Sequence, residues 1–182
     1  MRKCNAILSM GIVVLFLIHA IAGGFQLAGV FSGGSQVLKV LASIMSGLIL
    51  IHTVIGCKLT ADTLKACQKS GTSYFKENHL FCLRRFSGFA IMLFIICHLV
   101  IFAGNGGEVV RLHVFEGFEL ATQLLLVVSI AVHVLSNIKP LMIAIGARGG
   151  KEFFVDILLI MSIVLVLLGI AFIIYYLRWN VF

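Results

Sequence analysis

The stretch LRRFSGFAIMLFIICHLVIF, residues 83–102, decides how this chain folds. Two arginines precede a Ser–Gly pair, and an almost unbroken apolar run follows. About 20 apolar residues, each rising about 1.5 Å, cross the roughly 30 Å hydrocarbon core of a bilayer. The stretch therefore predicts a membrane-spanning helix that contains His98. A histidine inside a membrane indicates a functional site by default, because an unpaired imidazole is costly there.

The composition extends this prediction to the whole chain. Of its 182 residues, 61% are hydrophobic and only 12% are charged. The interior of a soluble domain of this size does not hold so much apolar surface, so we expect one membrane domain over residues 1–182. The five cysteines include no C-x-x-C pair, which argues against a disulfide framework, an iron–sulfur site and covalently attached haem.

Five segments are long and apolar enough to span a bilayer, which predicts an all-α integral membrane protein. They cover residues 5–29, 37–58, 86–104, 118–138 and 153–177. Residues 59–85 are predicted to form one long polar connection. The first segment imitates a signal peptide, but its apolar run continues beyond the triplet Ala20-Ile21-Ala22. We therefore predict that it is a retained first helix.

The basic residues predict the orientation of these helices. Of the 14 lysines and arginines, only Lys39, Arg111 and Arg178 fall on the side opposite the N-terminus. The others are Arg2, Lys3, Lys58, Lys65, Lys69, Lys76, Arg84, Arg85, Lys139, Arg148 and Lys151. The positive-inside rule then places the N-terminus in the cytoplasm and the C-terminus outside. The net charge of +7 is thus mainly a topology signal. No nucleic-acid partner is expected, although the basic face suits an acidic protein.

Four of the six histidines lie one per helix in the first four predicted helices. Counted at about 1.5 Å per residue from the cytoplasmic edge, His19 and His98 lie about 18 Å deep. By the same rise, His52 and His133 lie about 8–9 Å deep, so the two layers are about 10 Å apart. Two imidazoles at one depth are what a bis-histidine haem requires, because its iron takes one axial nitrogen from each side.

Other interpretations of these histidines remain open. A single buried histidine is often just hydrogen-bonded to a neighbouring helix. Proton relays and metal-ion transporters also use intramembrane histidines, but they usually add carboxylates at the same depth. The middle of the first four predicted helices contains none.

Small residues near the histidines fit either a bulky flat cofactor or close helix packing. They are Gly11, Gly23, Gly47, Gly56, Gly88, Ala90, Ser129 and Ser136. The fifth predicted helix has no histidine, is rich in leucine, isoleucine and valine, and carries aromatic residues near its ends. This pattern predicts a peripheral, lipid-facing helix anchored at the membrane interface.

The chain resembles the single-chain, five-helix, dihaem cytochrome b membrane anchors of succinate:quinone and quinol:fumarate oxidoreductases. The resemblance is sharpest in RRFSGFAIMLFIICH, residues 84–98. This stretch is similar to the family's Arg-x-Ser/Thr-Gly opening of helix 3 with a ligand ten residues later. The segments HAIAGGFQLAG and HVLSNIK, which begin at His19 and His133, are more loosely similar. The resemblance covers the whole chain by topology and a few dozen residues by motif.

The resemblance implies that the first four helices surround two stacked b-type haems. Their ligands would be His52 and His133 for a proximal haem near the cytoplasm, and His19 and His98 for a distal haem. Possible contacts to the haem propionates are Arg84, Arg85, Ser87 and Lys139. Alternatively, these cations serve only the positive-inside rule, and Ser87 caps the third helix.

The resemblance further implies electron transfer between a membrane quinone, menaquinone or ubiquinone, and cytoplasmic flavoprotein and iron–sulfur subunits. Dicarboxylate chemistry would reside in those subunits, and the complex would lie in a bacterial plasma (inner) membrane. Quinone-site candidates cluster at the outer end of the bundle: Glu108, Arg111, His113, Glu116 and Glu119.

Members of this family that move protons through the anchor carry an acidic residue near the ligand on helix 4. Ala131 and Val132 occupy that neighbourhood here, so no transmembrane proton path is expected. Two alternative functions remain. One is a cytochrome b anchor of another quinone-linked oxidoreductase, such as one serving a hydrogenase. The other is a haem-free membrane scaffold or transporter.

Overall fold

The computed structural model describes residues 1–71, 78–103, 114–147 and 150–180. This part of the chain forms five long α-helices and no strand. They are α1 (Arg2–Leu27), α2 (Gln36–Ser70), α3 (His79–Ala103), α4 (Gly117–Ala144) and α5 (Lys151–Asn180). Each is long and apolar enough to cross a membrane. The predicted all-α, five-span fold is confirmed, and the chain is a multi-pass membrane protein.

Two apolar clusters show how α1, α4 and α5 pack side by side. One joins Met10 near the start of α1 to Ile138 near the end of α4 and Met161 of α5. The other joins Leu27, Phe115 and Tyr175, which lie at the end of α1, before the start of α4 and near the end of α5. Hence α4 runs antiparallel to α1 and α5. We call the end of the bundle where α1 starts the N-terminal face, and the opposite end the C-terminal face.

The fifth helix packs against α1 and α4, on the outside of the histidine-bearing helices. Its inner side includes Tyr175, which is 1% exposed and lies with its ring centre 5.0 Å from that of Phe115. Its outer side exposes Leu159, Val166 and Ile170, as expected where a helix faces lipid. The helix is thus peripheral to the histidines, yet it contributes some of the most deeply buried side chains.

The predicted polar connection over residues 59–85 is wrong at both ends. Helix α2 continues to Ser70 because the residues after Lys58 include strong helix formers such as leucine, alanine, lysine and glutamine. It ends at Gly71, whose φ of 68° is the left-handed conformation that glycine adopts most readily. About three turns of α2 therefore extend beyond its predicted membrane span.

Helix α3 begins about two turns earlier than predicted. The side-chain oxygen of Asn78 accepts a hydrogen bond from the backbone N–H of Phe81 at 3.0 Å, which is a typical N-cap contact. The alternative role of Ser87 as the cap of this helix is therefore wrong. Ser87 lies inside α3 and is 7% exposed.

Helix α4 continues through Pro140 to Ala144, although it was predicted to end at residue 138. Proline has no backbone N–H and leaves the carbonyl four residues earlier without its helical donor. That carbonyl belongs to Ser136, and Nε of Arg84 donates a hydrogen bond to it at 3.1 Å. A side chain of α3 thus satisfies the carbonyl that the proline leaves unpaired.

Candidate functional site

A long cavity of about 1030 Å³ runs between α1, α2, α3 and α4. On α1 its lining extends from Arg2 to Leu27, which is roughly 38 Å along the helix axis. The lining is predominantly apolar. Packed protein interiors leave few spaces larger than a water molecule, and pockets for one small molecule measure about 300–1,000 Å³. The cavity thus lies at the upper end of this range and has room for a large ligand.

The four helix histidines all line this cavity, and the structure brings them together as two pairs. The ring centres of His52 and His133, the first pair, are 6.4 Å apart with an angle of 87° between the planes. The ring centres of His19 and His98, the second pair, are 6.1 Å apart with an angle of 77°. These are the two pairings that the depth count predicted.

Two helices give the same separation between the pairs. On α1, Ser9 lies at the level of the first pair, because its hydroxyl contacts His52. Ser9 precedes His19, a member of the second pair, by ten residues. On α3, Gly88 lies at the level of the first pair, because it lies against His133. Gly88 precedes His98 by ten residues. Ten residues of helix rise about 15 Å, against the predicted spacing of about 10 Å. The prediction was short because it was counted from assumed helix ends, several of which are wrong.

Within the first pair, the ring of His52 is oriented from α1. Its Nδ1 lies 3.2 Å from the hydroxyl oxygen of Ser9. That hydroxyl donates its only proton to the backbone carbonyl of Asn5 at 2.8 Å. Nδ1 of His52 must therefore be the protonated donor in its contact with Ser9, and the lone pair of the ring lies on Nε2.

The second ring of the first pair is oriented from α3. Nδ1 of His133 lies 3.1 Å from the backbone carbonyl of Arg84 and 3.2 Å from the hydroxyl of Ser87. Because a carbonyl only accepts, Nδ1 carries the proton and Nε2 again keeps its lone pair. Ser87 therefore contacts a histidine, a role that the sequence did not indicate.

One ring of the second pair shows the same arrangement. Nδ1 of His98 lies 2.8 Å from the side-chain oxygen of Gln123, a residue that is 0% exposed. Histidines that ligate metals almost always donate their other ring N–H to such an acceptor, which fixes the tautomer and the ring orientation. Three of the four rings are thus held in the form that ligates a metal through Nε2.

The separations within the pairs fit one metal ion between two imidazoles. An imidazole nitrogen lies roughly 1.1–1.2 Å from its ring centre and binds a metal at about 2.0–2.1 Å. Ring centres on opposite sides of one ion are therefore roughly 6.2–6.6 Å apart. The measured 6.1 Å and 6.4 Å are close to that range.

The protein ligands that each pair offers are two imidazoles, as in a bis-histidine haem. The described residues contain no group of three or more histidine, cysteine or acidic side chains that could hold a metal. Nor do aspartate or glutamate residues from that part of the chain line the cavity. Two imidazoles without a further protein ligand fit a metal whose remaining ligands come from a macrocycle, as in haem. The residues present therefore fit two haem groups.

Cationic side chains line the cavity toward both faces. Arg84 and Arg85 line it toward the N-terminal face, whereas Lys139 is exposed and lies outside the lining. Lys39 lines it toward the C-terminal face. On α2, Ala42 lies ten residues before His52 and is therefore level with the second pair. Lys39 lies three residues before Ala42. The sequence had indicated Lys39 only as a topology charge.

The predicted quinone-site residues lie partly outside the described residues. Glu108, Arg111 and His113 belong to that undescribed part. Glu116 and Glu119 form a capping box at the start of α4, in which the carboxylate of Glu119 accepts the N–H of Glu116 at 2.9 Å. Neither of these two glutamates lines the cavity.

Only some of the small residues lie where a bulky cofactor needs them. Gly23, Gly56 and Gly88 line the cavity. A Cβ atom added at Gly88 would lie 3.4 Å from Cε1 of His133, so this position lies directly against the ring. The other predicted small residues do not line the cavity: Gly11, Gly47, Ala90, Ser129 and Ser136.

The fold and the cavity define a class, a multi-pass helical membrane protein with two histidine pairs that line one cavity. No protein-family model matches the chain, and no curated protein or solved structure is significantly similar to it.

Proposed function

We propose that this protein is a dihaem cytochrome b, the membrane subunit of a quinone-linked oxidoreductase. One observation carries the proposal: two histidine pairs share one cavity with ring separations of 6.4 Å and 6.1 Å. The bonded Nδ1 atoms of three rings support it, because they leave Nε2 as the ligating atom. Haem iron bound by such pairs supplies one-electron transfer by cycling between its ferric and ferrous forms.

The protein's own residues would bind and orient the two groups. His52 and His133 would hold one b-type haem, and His19 and His98 the other. The apolar lining would exclude water from both sites and so influence their reduction potentials. The two sites, about 15 Å apart along the helices, form a route across much of the bilayer.

The wider assignment rests on the resemblance and on the distribution of charge. The N-terminal face carries most of the basic residues, which supports a cytoplasmic location for it. The extension of α2 over residues 59–70, with Lys65 and Lys69, adds to this basic surface. We propose that it docks a flavoprotein and an iron–sulfur subunit of the succinate dehydrogenase or fumarate reductase type. Electrons would pass between those subunits and menaquinone or ubiquinone in a bacterial plasma membrane.

Purification of the complex in mild detergent tests this function. We expect two b-type haems per chain, measured by haem extraction and by a reduced-minus-oxidised spectrum. Copurified flavoprotein and iron–sulfur subunits would support the proposed complex, whereas a nickel-containing partner would indicate a different quinone-linked oxidoreductase. A colourless preparation from cells with ample haem would contradict the cytochrome and favour a haem-free scaffold or transporter.

Lys39 is expected to hold a carboxylate of the haem bound by the second pair. Charge-assisted hydrogen bonds are worth about 1.5–3 kcal/mol, so their loss corresponds to at least about tenfold in affinity. We therefore expect Lys39→Met to release one haem at least about tenfold faster to an excess of apomyoglobin, with the other haem unchanged.

Lys65→Met provides the matched control for this release measurement. It removes the same charge from the same helix, but Lys65 is exposed and does not line the cavity. Release from this variant should equal that from the unmodified protein. Equal release from the Lys39 and Lys65 variants would show that Lys39 does not hold a haem carboxylate.

A further inference from the structure

Gln123 is an amide buried in a largely apolar membrane bundle. It is 0% exposed, and both ends of its amide are hydrogen-bonded. Its oxygen lies 2.8 Å from Nδ1 of His98, and its nitrogen lies 3.2 Å from the hydroxyl of Thr122. A buried polar side chain is retained at low cost only when its bonds are satisfied, and those of Gln123 connect it to the second histidine pair.

The hydrogen bonds of Thr122 settle which way the amide points. The Thr122 hydroxyl donates its only proton to the backbone carbonyl of Glu119 at 2.8 Å. It must therefore accept a proton from the Gln123 side chain, which only the amide nitrogen can provide. The amide oxygen is consequently turned to His98, where it can only accept. The Glu119 carbonyl in the first turn of α4 thus sets the donor and the acceptor in each hydrogen bond from Thr122 through Gln123 to His98.

We propose that Gln123 is a positioning residue that holds His98 as its Nδ1–H tautomer and lowers the reduction potential of the haem at the second pair. The effect on the reduction potential rests on the proposed function, whereas the effect on the His98 tautomer does not. An acceptor on Nδ1–H makes the imidazole a more basic ligand. A more basic ligand stabilises the ferric state relative to the ferrous state, so loss of the acceptor raises the potential.

The two pairs differ in the acceptor that each provides. His133 of the first pair donates to a backbone carbonyl, which substitution of a side chain cannot remove. His98 of the second pair depends on a side chain, so its environment can be changed without altering the helix. This difference allows the potential of one haem to be tested separately from that of the other.

The test is a redox titration of the purified complex, followed by its visible spectrum. Outer-shell partners of ligating histidines typically change metal affinity about 10–100-fold. A tenfold change in the ferric-to-ferrous ratio equals about 59 mV for one electron. We expect Gln123→Leu to raise the potential of one haem by about 59 mV or more and to leave the other unchanged. Gln123→Glu retains an acceptor oxygen. In this variant the reduction potential of the haem at the second pair should stay at or below its value in the unmodified protein.

Ser129→Ala is the matched control on the same helix, because Ser129 is only partly exposed, lies outside the cavity lining, and its hydroxyl bonds to its own helix, at Leu125. It should shift neither potential. If Gln123→Leu keeps both haems with unchanged potentials, or shifts both equally, the proposal is wrong. If it loses one haem, retention of that haem in Gln123→Glu supports positioning by the acceptor, whereas its loss there too shows a packing role and overturns the proposal.

A second readout separates this inference from the proposed function. If the purified protein carries no haem, the proposed function fails, and the ring nitrogens of His98 are then followed by ¹⁵N NMR in the same preparation. We expect the Nδ1–H tautomer in the unmodified protein and in Ser129→Ala, and its loss in Gln123→Leu. The same tautomer in all three proteins would show that Gln123 does not hold it.

Discussion

Replacement of any one of the four cavity histidines with alanine is expected to leave one haem per chain instead of two. The pairs predict which haem is lost. His52→Ala and His133→Ala should retain the same haem, with one spectrum and one reduction potential, because the ring centres of His52 and His133 are only 6.4 Å apart. His19→Ala and His98→Ala should retain the other. A bis-histidine iron that loses one axial ligand also loses much of its hold on the protein.

Two further variants complete this experiment, which is read by haem extraction and redox titration. The double variant His19→Ala/His52→Ala disrupts both pairs and should contain no haem. His79→Ala is the control, since His79 is exposed at the start of α3 and does not line the cavity. It should retain both haems. If His52→Ala and His19→Ala lost the same haem, the assignment of ligands to pairs would be wrong.

The pairing of the histidines could be predicted from the sequence because it depends on two regular quantities. Membrane helices rise by a constant amount per residue, and they alternate in direction across a bilayer of known thickness. Depth therefore follows from residue number, and an error of one turn does not change which histidines share a layer. The number of helices followed from the same regularity, through the lengths of the apolar segments.

Helix ends were predicted less well, because polar composition was taken to mark them. The residues of α2 after Lys58 are polar yet favour helix, so hydropathy marked the edge of the membrane and not the end of the helix. The break expected near Pro140 depends on whether its freed carbonyl finds another donor. That donor is Arg84, 52 residues earlier, and a local sequence pattern does not contain this contact.

The partners of the histidines were missed for a related reason. Gln123 and Ser9 contact rings on other helices, and such contacts depend on how each helix is rotated about its axis. One signal was present: Gln123 is a polar residue within an apolar segment, where polar side chains are costly unless they are bonded. The ten-residue interval from Gln123 to His133 would have placed it level with the second pair.

Substitution of Gly88 by leucine is expected to remove the haem of the first pair as completely as loss of its ligand. A Cβ atom at this position would lie 3.4 Å from Cε1 and 3.5 Å from Nδ1 of His133. Alanine thus makes ordinary contact with the ring, and Gly88→Ala should keep both haems. Leucine adds three further carbons beyond Cβ beside a ring that Arg84 and Ser87 already hold in place. The ring must move from its position opposite His52.

Gly47→Leu is the control that separates displacement of His133 from a general effect of bulk in a membrane helix. A Cβ at Gly47 has no neighbouring atom within 4 Å, and this glycine does not line the cavity. It should therefore keep two haems, while Gly88→Leu keeps one, with the potential of the haem retained in His133→Ala. Two haems in Gly88→Leu would mean that the ring can shift and still ligate. The contact between position 88 and the His133 ring would then have no part in haem binding. The glycine of the Ser–Gly pair in α3 would then serve helix packing alone.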